Sequence, residues 1–189
     1  MTNLLIILSI LSSFFATLEQ KTLKSDFTVT VTEEVNAPLN YPGSITIHGR
    51  QFLLSAFDIK AAYDGKTLYM YSAQTDELTL SNPTEQELYE ANPFLFAKAL
   101  VSVCDVTEKP SADGQQTVVT LTPKDPSTGI SRFVLKVRNS DLMPLSVEIK
   151  EGKKTSTLKM KEPKFVGSLQ PSAFSIQADK NTYVNDMRF

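Results

Sequence analysis

The segment from Asp64 to Leu100 restricts the possible folds of this 189-residue chain more than any other part of its sequence. It begins with Asp64-Gly65 between two short strands of alternating apolar residues. An Asp-Gly pair in that position favours a type I′ hairpin turn, because both central residues of that turn have positive φ. The segment therefore predicts a β-hairpin, followed by a strand at 77–81 that continues the meander.

Two short helices with N-terminal caps follow the hairpin. Thr84 and Glu87 have the spacing of a capping box, in which each side chain bonds the backbone N–H of the other residue. Asn92-Pro93 then places a cap and a first-turn proline before the second helix. The second helix, predicted at 92–101, is apolar on nearly every side, and Lys98 is the only polar residue after its Asn92 cap. Such a helix on a β-rich body predicts a cover over a hydrophobic ligand.

The rest of the chain returns to strands, spaced by about ten residues as in β-sandwiches and barrels. Pro38, Pro42 and Gly43 are expected to break the chain between two of them. Helices occur only at the start and in the middle, which is too few for βαβ crossovers. The predicted fold class is therefore mainly β (α+β), with one long antiparallel sheet curled strongly around a helical plug. We expect further strands at 26–32, 44–48, 51–57, 67–71, 115–122, 130–138, 145–150 and 155–160.

Residues 1–25 allow two interpretations. The run from Leu4 to Leu11 is almost wholly apolar, as in the core of a secretion signal, but no Lys or Arg precedes it and no Ala-x-Ala site follows it. The alternative, which we prefer, is an amphipathic helix of the mature protein, with 26–189 forming the half-barrel of a single domain. The residues that recur at helical spacing are Leu4, Leu8, Leu11, Phe15 and Leu18.

The composition argues against several functions. The formal net charge is −2, without the basic face of a nucleic-acid binder. His48 is the only histidine and Cys104 the only cysteine, so we expect neither a metal site nor a Ser-His-Asp catalytic site, and no cofactor. Cys104 lies in an apolar run and is expected to be a buried hydrophobe. We interpret Lys159, Lys161 and Lys164 as lysines that protect a sheet edge.

Five blocks follow one another along nearly the whole chain: KSDFTVTV, GSITIHGRQFLL, YDGKTLYMYSAQTDELTLSNPTEQEL, NPFLFAKAL and YVNDMRF. In this order they resemble the LolA-type periplasmic carriers of outer-membrane lipoproteins. The resemblance implies an incomplete, strongly curved β-barrel, closed by lid helices at 84–101 around a hydrophobic cavity. Many members have an Arg-Pro pair whose arginine tethers the lid. That pair is absent here, and Arg50 is its nearest substitute.

By this resemblance we expect a monomeric carrier in the periplasm of a Gram-negative bacterium. It would take acylated lipoproteins from an inner-membrane ABC exporter and deliver them to an outer-membrane receptor. An envelope sensor or interaction domain of the same fold, binding another lipid or a protein partner, is the alternative. A lipid hydrolase is disfavoured by the residue inventory. The residues expected to contact acyl chains are Phe27, Val29, Ile45, Ile47, Phe52, Leu54, Leu68, Met70, Phe94, Phe96, Leu135 and Val147.

Overall fold

The structure, a computed structural model, describes residues 9–34 and 36–188, apart from the side chain of Thr128. Three α-helices are present in this part of the chain: α1 (Ile10–Gln20), α2 (Glu85–Ala91) and α3 (Pro93–Leu100). The strands are β1 (Thr22–Glu33), β2 (Asn36–His48), β3 (Gln51–Ala56), β4 (Ile59–Tyr63), β5 (Leu68–Ser72), β6 (Glu77–Ser81), β7 (Cys104–Pro110), β8 (Gln116–Pro123), β9 (Ile130–Arg138), β10 (Met143–Glu151), β11 (Lys154–Val166) and β12 (Tyr183–Asp186).

The described strands form one curled, open sheet. Their order is β12-β6-β5-β4-β3-β2-β1-β11-β10-β9-β8-β7, so β12 and β7 are its two edges. Neighbouring strands are antiparallel, except that β12 runs parallel to β6. The predicted fold class is confirmed: a mainly β, strongly curved antiparallel sheet with helices packed against it.

The helices and the main apolar core lie on one face of the sheet, which we call the inner face. Strand residues alternate between this face and the outer face, as the pleat requires. Phe14 of α1 and Phe94 of α3 belong to the same buried cluster as Phe27, Phe52 and Phe133 of the strands. The described core is therefore a layer of aromatic and aliphatic side chains between three short helices and the sheet.

Local sequence explains the helix ends. The side chain of Ser9 accepts a hydrogen bond from the backbone N–H of Ser12 and caps α1. The predicted capping box of Thr84 and Glu87 is present at α2, and the side chain of Asn92 caps α3. These side chains satisfy N–H groups that have no partner within a helix. The caps of α2 and α3 are confirmed.

The apolar stripe of α1 differs from the predicted one by one position. Leu11 and Leu18 are buried as expected, but the residue fully buried between them is Phe14 rather than Phe15, which is partly exposed. Both phenylalanines lie within one turn of the helix, so spacing alone separates them poorly. Leu4 and Leu8 lie outside the described residues.

The expected break at Pro38, Pro42 and Gly43 is wrong, because β2 runs without interruption through all three residues. Strand β3 pairs only with the second half of β2, from Gly43 to His48. The first half therefore has a free side towards β3, where prolines that lack an N–H group interrupt no hydrogen-bond ladder.

The hairpin at Asp64-Gly65 is present between β4 and β5, but its turn is not type I′. Gly65 has a positive φ of 104°, whereas Asp64 does not. Instead, the carboxylate of Asp64 accepts hydrogen bonds from the backbone N–H groups of Lys66 and Thr67, at 2.9 and 2.8 Å. An aspartate that bonds the backbone two residues on replaces the mirror-image turn with a longer loop.

Candidate functional site

The ten strand residues predicted to contact acyl chains all lie on the inner face. The pairing register shows this directly: Ile45 is opposite Leu54, Leu54 is opposite Ala61, and Ala61 is opposite Met70. In the other half of the sheet, Val29 continues through Leu158 and Val147 to Leu135. Because paired residues share a face, the sequence alternation identified one continuous apolar surface.

Burial divides the twelve predicted residues into two groups. Eight are fully buried: Phe27, Ile45, Ile47, Phe52, Leu68, Phe94, Leu135 and Val147. Four are partly exposed and pack against the edge of the core: Val29, Leu54, Met70 and Phe96. The first group fills the interior of this structure. The second group still has exposed apolar surface that a ligand could contact. Contact of any of the twelve with a ligand stays a prediction.

Aromatic side chains occupy the space between α1, α3 and the sheet. The rings of Phe94 and Phe14 are 5.5 Å apart, and the edge of Phe96 meets Phe133 at 6.1 Å between centroids. The seam between α1, α3 and the turn after β2 encloses only about 10 Å³. A ligand pocket usually has roughly 300–1,000 Å³. In this arrangement of the helices, no acyl chain fits into that seam.

A larger apolar groove lies where the inner face extends to the far end of β1 and β2. It has a volume of about 340 Å³ and is lined by Val31, Glu33, Asn36, Ala37 and Leu39. Val31 is opposite Leu39, which is 54 % exposed. On its other side, the row of Val31 continues through Ser156 and Ile149 to Phe133, the ring below Phe96. The groove and α3 are thus joined by one row of the inner face.

Polar contacts attach α2 to the turn after β2 and α3 to α1. Arg50, in the turn after β2, donates a 2.6 Å hydrogen bond to Glu85 of α2. Lys98 of α3 forms a 2.8 Å ion pair with Glu19 of α1. All four side chains are about half exposed, and exposed ion pairs contribute only about 0–1 kcal/mol each. These links set the position of the helices without holding them strongly.

The hydrogen bond from Arg50 lowers the pKa of the Glu85 carboxyl below its usual value, so this carboxylate stays charged and paired at neutral pH. The predicted substitute for the family arginine therefore does contact the helix pair. It does so through a carboxylate at the start of α2.

Helix α1 is attached at both ends. The backbone N–H groups of Ile10 and Leu11 donate to the two carboxylate oxygens of Glu108 on β7, each at 3.0 Å. At the other end, the N–H of Gly49 donates to the carbonyl of Leu18 at 2.7 Å. A carboxylate at a helix N-terminus is favourable because it faces the positive end of the helix dipole. Helix α1 is therefore tied by backbone hydrogen bonds at both ends, whereas the polar links of α2–α3 are exposed ion pairs.

One buried group at the junction of α2 and α3 is left unsatisfied. Asn92 is fully buried, and its side-chain oxygen accepts from the N–H groups of Phe94 and Leu95. Its amide nitrogen Nδ2 has no hydrogen-bond partner among the described residues. Such a donor costs about 1–3 kcal/mol relative to a satisfied one. The packing of α2 against α3 thus carries a polar cost at Asn92.

The groups that could carry catalysis have ordinary surroundings. His48 has Thr22 as its hydrogen-bond neighbour, with 3.4 Å between Nδ1 and the hydroxyl oxygen. Cys104 is buried, and this burial raises the pKa of its thiol, which disfavours the nucleophilic thiolate. Within residues 9–34 and 36–188, no group of three His, Cys, Asp or Glu side chains could hold a metal ion. In the same part of the chain, no helix is long and apolar enough to cross a membrane.

Sequence reasoning missed several residues of the site, among them Leu39 of the groove, Phe133 and Glu108. Phe133 alternates with Leu135 and Val137 along β9, so the period of two could have revealed it. Glu108 contacts α1 from nearly one hundred positions away, and no local pattern in the sequence points to that contact.

Comparison with known proteins agrees with this architecture. The family described as "Outer membrane lipoprotein carrier protein LolA" matches residues 57–177. No curated protein sequence matches the chain.

Several solved structures are similar to this chain. An uncharacterized conserved protein from Thermus thermophilus has a TM-score of 0.61 at 15% identity, with 94% of this chain and 96% of that chain covered. The MucA/MucB complex of Pseudomonas aeruginosa gives a TM-score of 0.50 at 14% identity, over 89% of this chain and 60% of that chain. A LolA superfamily protein from Nitrosomonas europaea gives 0.43 at 12% identity, over 87% and 96%. At 14–15% identity, the likeness to the first two structures concerns the fold alone.

Proposed function

Because the chain belongs to the family of the outer membrane lipoprotein carrier LolA, we propose that it binds the acyl chains of lipoproteins between the inner face of its sheet and the helices α2 and α3. In this proposal the protein works in the periplasm of a Gram-negative bacterium. It accepts lipoproteins from an inner-membrane exporter and passes them to a receptor at the outer membrane.

The observation that carries the proposal is the row from Val31 to Phe133. This row begins in an open apolar groove and ends under Phe96, the partly exposed ring of α3. Four adjacent strands contribute to it, and at about 4.8 Å per strand it extends for roughly 14 Å. An acyl chain that entered the groove could follow the row under the helix pair. The unsatisfied amide of Asn92 lies at the junction that such a ligand would displace.

The energies are suited to reversible carriage. Each methylene that is removed from water contributes about 0.8 kcal/mol, so a long acyl chain represents on the order of 10 kcal/mol. Opening would cost the contacts of Phe94 and Phe96 as well as the two exposed ion pairs. The ligand would restore apolar contacts to the same surfaces. The free energies of the loaded and the empty protein therefore differ by much less than the full transfer free energy of the acyl chain.

Two adjacent leucines of β3 provide a matched test. Leu54 is on the inner face, Leu53 is on the outer face, and both are partly exposed. Leu54→Asp should abolish binding of an environment-sensitive acyl fluorophore and its displacement by a lipopeptide, since the new charge would lie in the site. Leu53→Asp should leave both signals near the wild-type level. Thermal melts of both variants show whether each is folded. Equal binding by two folded variants would contradict the proposed site.

A domain that binds a protein partner is the second candidate. The edge strand β7 and the turn before it expose Val101, Val103 and Val106, and an exposed edge can accept a strand from another chain. The neighbour from Pseudomonas aeruginosa was solved as a MucA/MucB complex. If the folded protein binds neither fluorophore nor lipopeptide, this candidate replaces the carrier.

A further inference from the structure

Five lysines gather on the outer face of the sheet, across the neighbouring strands β1, β11, β10 and β9. The register forms three rows: Lys24 faces Lys164, Asp26 faces Lys161, and Lys159 faces Ser146, which in turn faces Lys136. We call these lysines, Lys24, Lys136, Lys159, Lys161 and Lys164, the lysine face. Strand β11 lies in the interior of the sheet. The predicted role of its lysines in protecting a sheet edge is therefore wrong.

The lysine face is costly for the fold. Lys24 and Lys164 are directly opposite each other, and like charges in that position destabilise a sheet. Within the described residues, none of the five lysines has a carboxylate at ion-pair distance, although other cations such as Arg132 and Arg138 do. No ion pair among the described residues therefore offsets this repulsion.

A groove of about 230 Å³ lies beside three of these lysines, between strands β2, β1 and β11. The hydroxyl groups of Ser44 and Thr46 line it together with three of the lysines. Strands β1 and β11 are both irregular at this groove. Strand β1 has a bulge between Lys24 and Asp26, and Glu162 of β11 has a φ of 48°, which is unfavourable for a residue with a side chain. Asp26 and Glu162 bring two negative charges to the groove, and the three lysines outnumber them. Ammonium and hydroxyl donors are the groups that bind phosphate oxygens.

We propose that the lysine face binds the phosphate headgroups of an anionic phospholipid membrane. Five unpaired lysines on one side of a sheet match a laterally extended negative surface, and clusters of that size are typical of binding to anionic lipids. The helix α2, with exposed Glu85, Glu87 and Glu90, packs on the inner side. A chain with a net charge of only −2 thus presents charges of opposite sign on its two sides, which would orient it on a membrane. This inference does not depend on the binding of acyl chains.

The test is co-sedimentation of the purified protein with vesicles of phosphatidylcholine, either alone or with one-third phosphatidylglycerol. The groove variant combines Lys24→Gln, Lys161→Gln and Lys164→Gln. The control variant combines Lys66→Gln, Lys124→Gln and Lys180→Gln, which are exposed lysines outside the lysine face. Each variant neutralises three lysines, so the formal net charge changes from −2 to −5 in both. Melts of both variants verify folding.

We expect the wild type to bind only the vesicles with phosphatidylglycerol and to dissociate at high salt, since salt screens exposed charges. A lysine near an anionic surface contributes about fivefold in partition, so the groove variant should lose on the order of 100-fold. The control variant should bind almost normally. Equal loss in both variants, binding without phosphatidylglycerol, or no vesicle binding would each overturn the proposal. If the wild type ignores vesicles but is retained by immobilised polyglutamate, the face fits an acidic protein instead.

Discussion

At the scale of single residues, Gly43 is a position on the inner face with no room for a side chain. It is directly opposite Phe27 on β1, and the ring of Phe27 lies over it. A Cβ atom at residue 43 would be 2.3 Å from that ring and 2.6 Å from the carbonyl oxygen of Ser55. The absence of a side chain thus allows a buried aromatic ring to pack against the backbone of β2.

Gly43→Ala should therefore lower the free energy of unfolding by about 1–3 kcal/mol, the usual range for overpacking a core. Gly167→Ala is the matched control, because a Cβ atom there would meet no atom within 4 Å. It should be neutral or slightly stabilising, since it only restricts the unfolded chain. Chemical denaturation of both variants measures the difference. Two equal unfolding energies would show that Phe27 moves aside without cost.

At the scale of elements, the two phenylalanines of α3 have different surroundings. Phe94 is 2% exposed and contacts Phe14, so it packs α3 against α1. Phe96 is partly exposed and lies over Phe133, at the end of the row that leads to the groove. One short helix thus presents a core residue and a candidate ligand contact two positions apart.

Phe94→Ala should cost about 3–5 kcal/mol of stability, as expected for a buried ring. Phe96→Ala should cost clearly less, yet weaken binding of an acyl fluorophore about tenfold or more, since up to about 1.5–3 kcal/mol of apolar contact is removed from the ligand. Denaturation and fluorophore titration of the two variants separate these effects. If Phe96→Ala destabilises the fold as much as Phe94→Ala does, α3 is ordinary core and not a lid.

The attachment of α2 should depend on pH through Glu85. Its pKa in the folded protein is lowered from 4.5 by the hydrogen bond from Arg50. The contact therefore stabilises the attached helix above pH 4.5 and is lost as the pH falls below that value, through the lowered pKa. Hydrogen-exchange protection of α2, corrected for intrinsic rates, should fall in that window. Glu85→Gln should show weaker protection at neutral pH and a smaller loss in acid. An unchanged acid response in Glu85→Gln would assign the effect to another group, such as Glu87.

Sequence patterns predicted those features that depend on neighbouring residues. The caps at Thr84 and Asn92 and the alternation of Ile45, Ile47 and Leu54 are local, and each was identified. Features that depend on distant pairing were not. The course of β2 through Pro42 follows from where β3 ends, and the interior position of β11 follows from its pairing with β1. Short-range patterns contain neither fact.

At the scale of the whole molecule, the two faces of the sheet have different chemistry. The inner face is apolar, covered in part by three helices, and open at the groove beside Val31 and Leu39. The outer face carries the lysine face on its central strands. A carrier would hold an apolar cargo on the inner face and contact a membrane through the lysine face. The expected monomeric state would leave both faces accessible.

Photo-crosslinking of a lipopeptide that carries a diazirine in one acyl chain tests the central claim most directly. After irradiation and proteolysis, mass spectrometry locates the modified residues. We predict labels on the inner face, at or beside Val31, Ile149 and Phe96, and their loss on competition with unlabelled lipopeptide. Labels confined to the outer face or to the exposed valines near β7, or no competed label on a folded sample, would contradict the binding of acyl chains between the sheet and the helices.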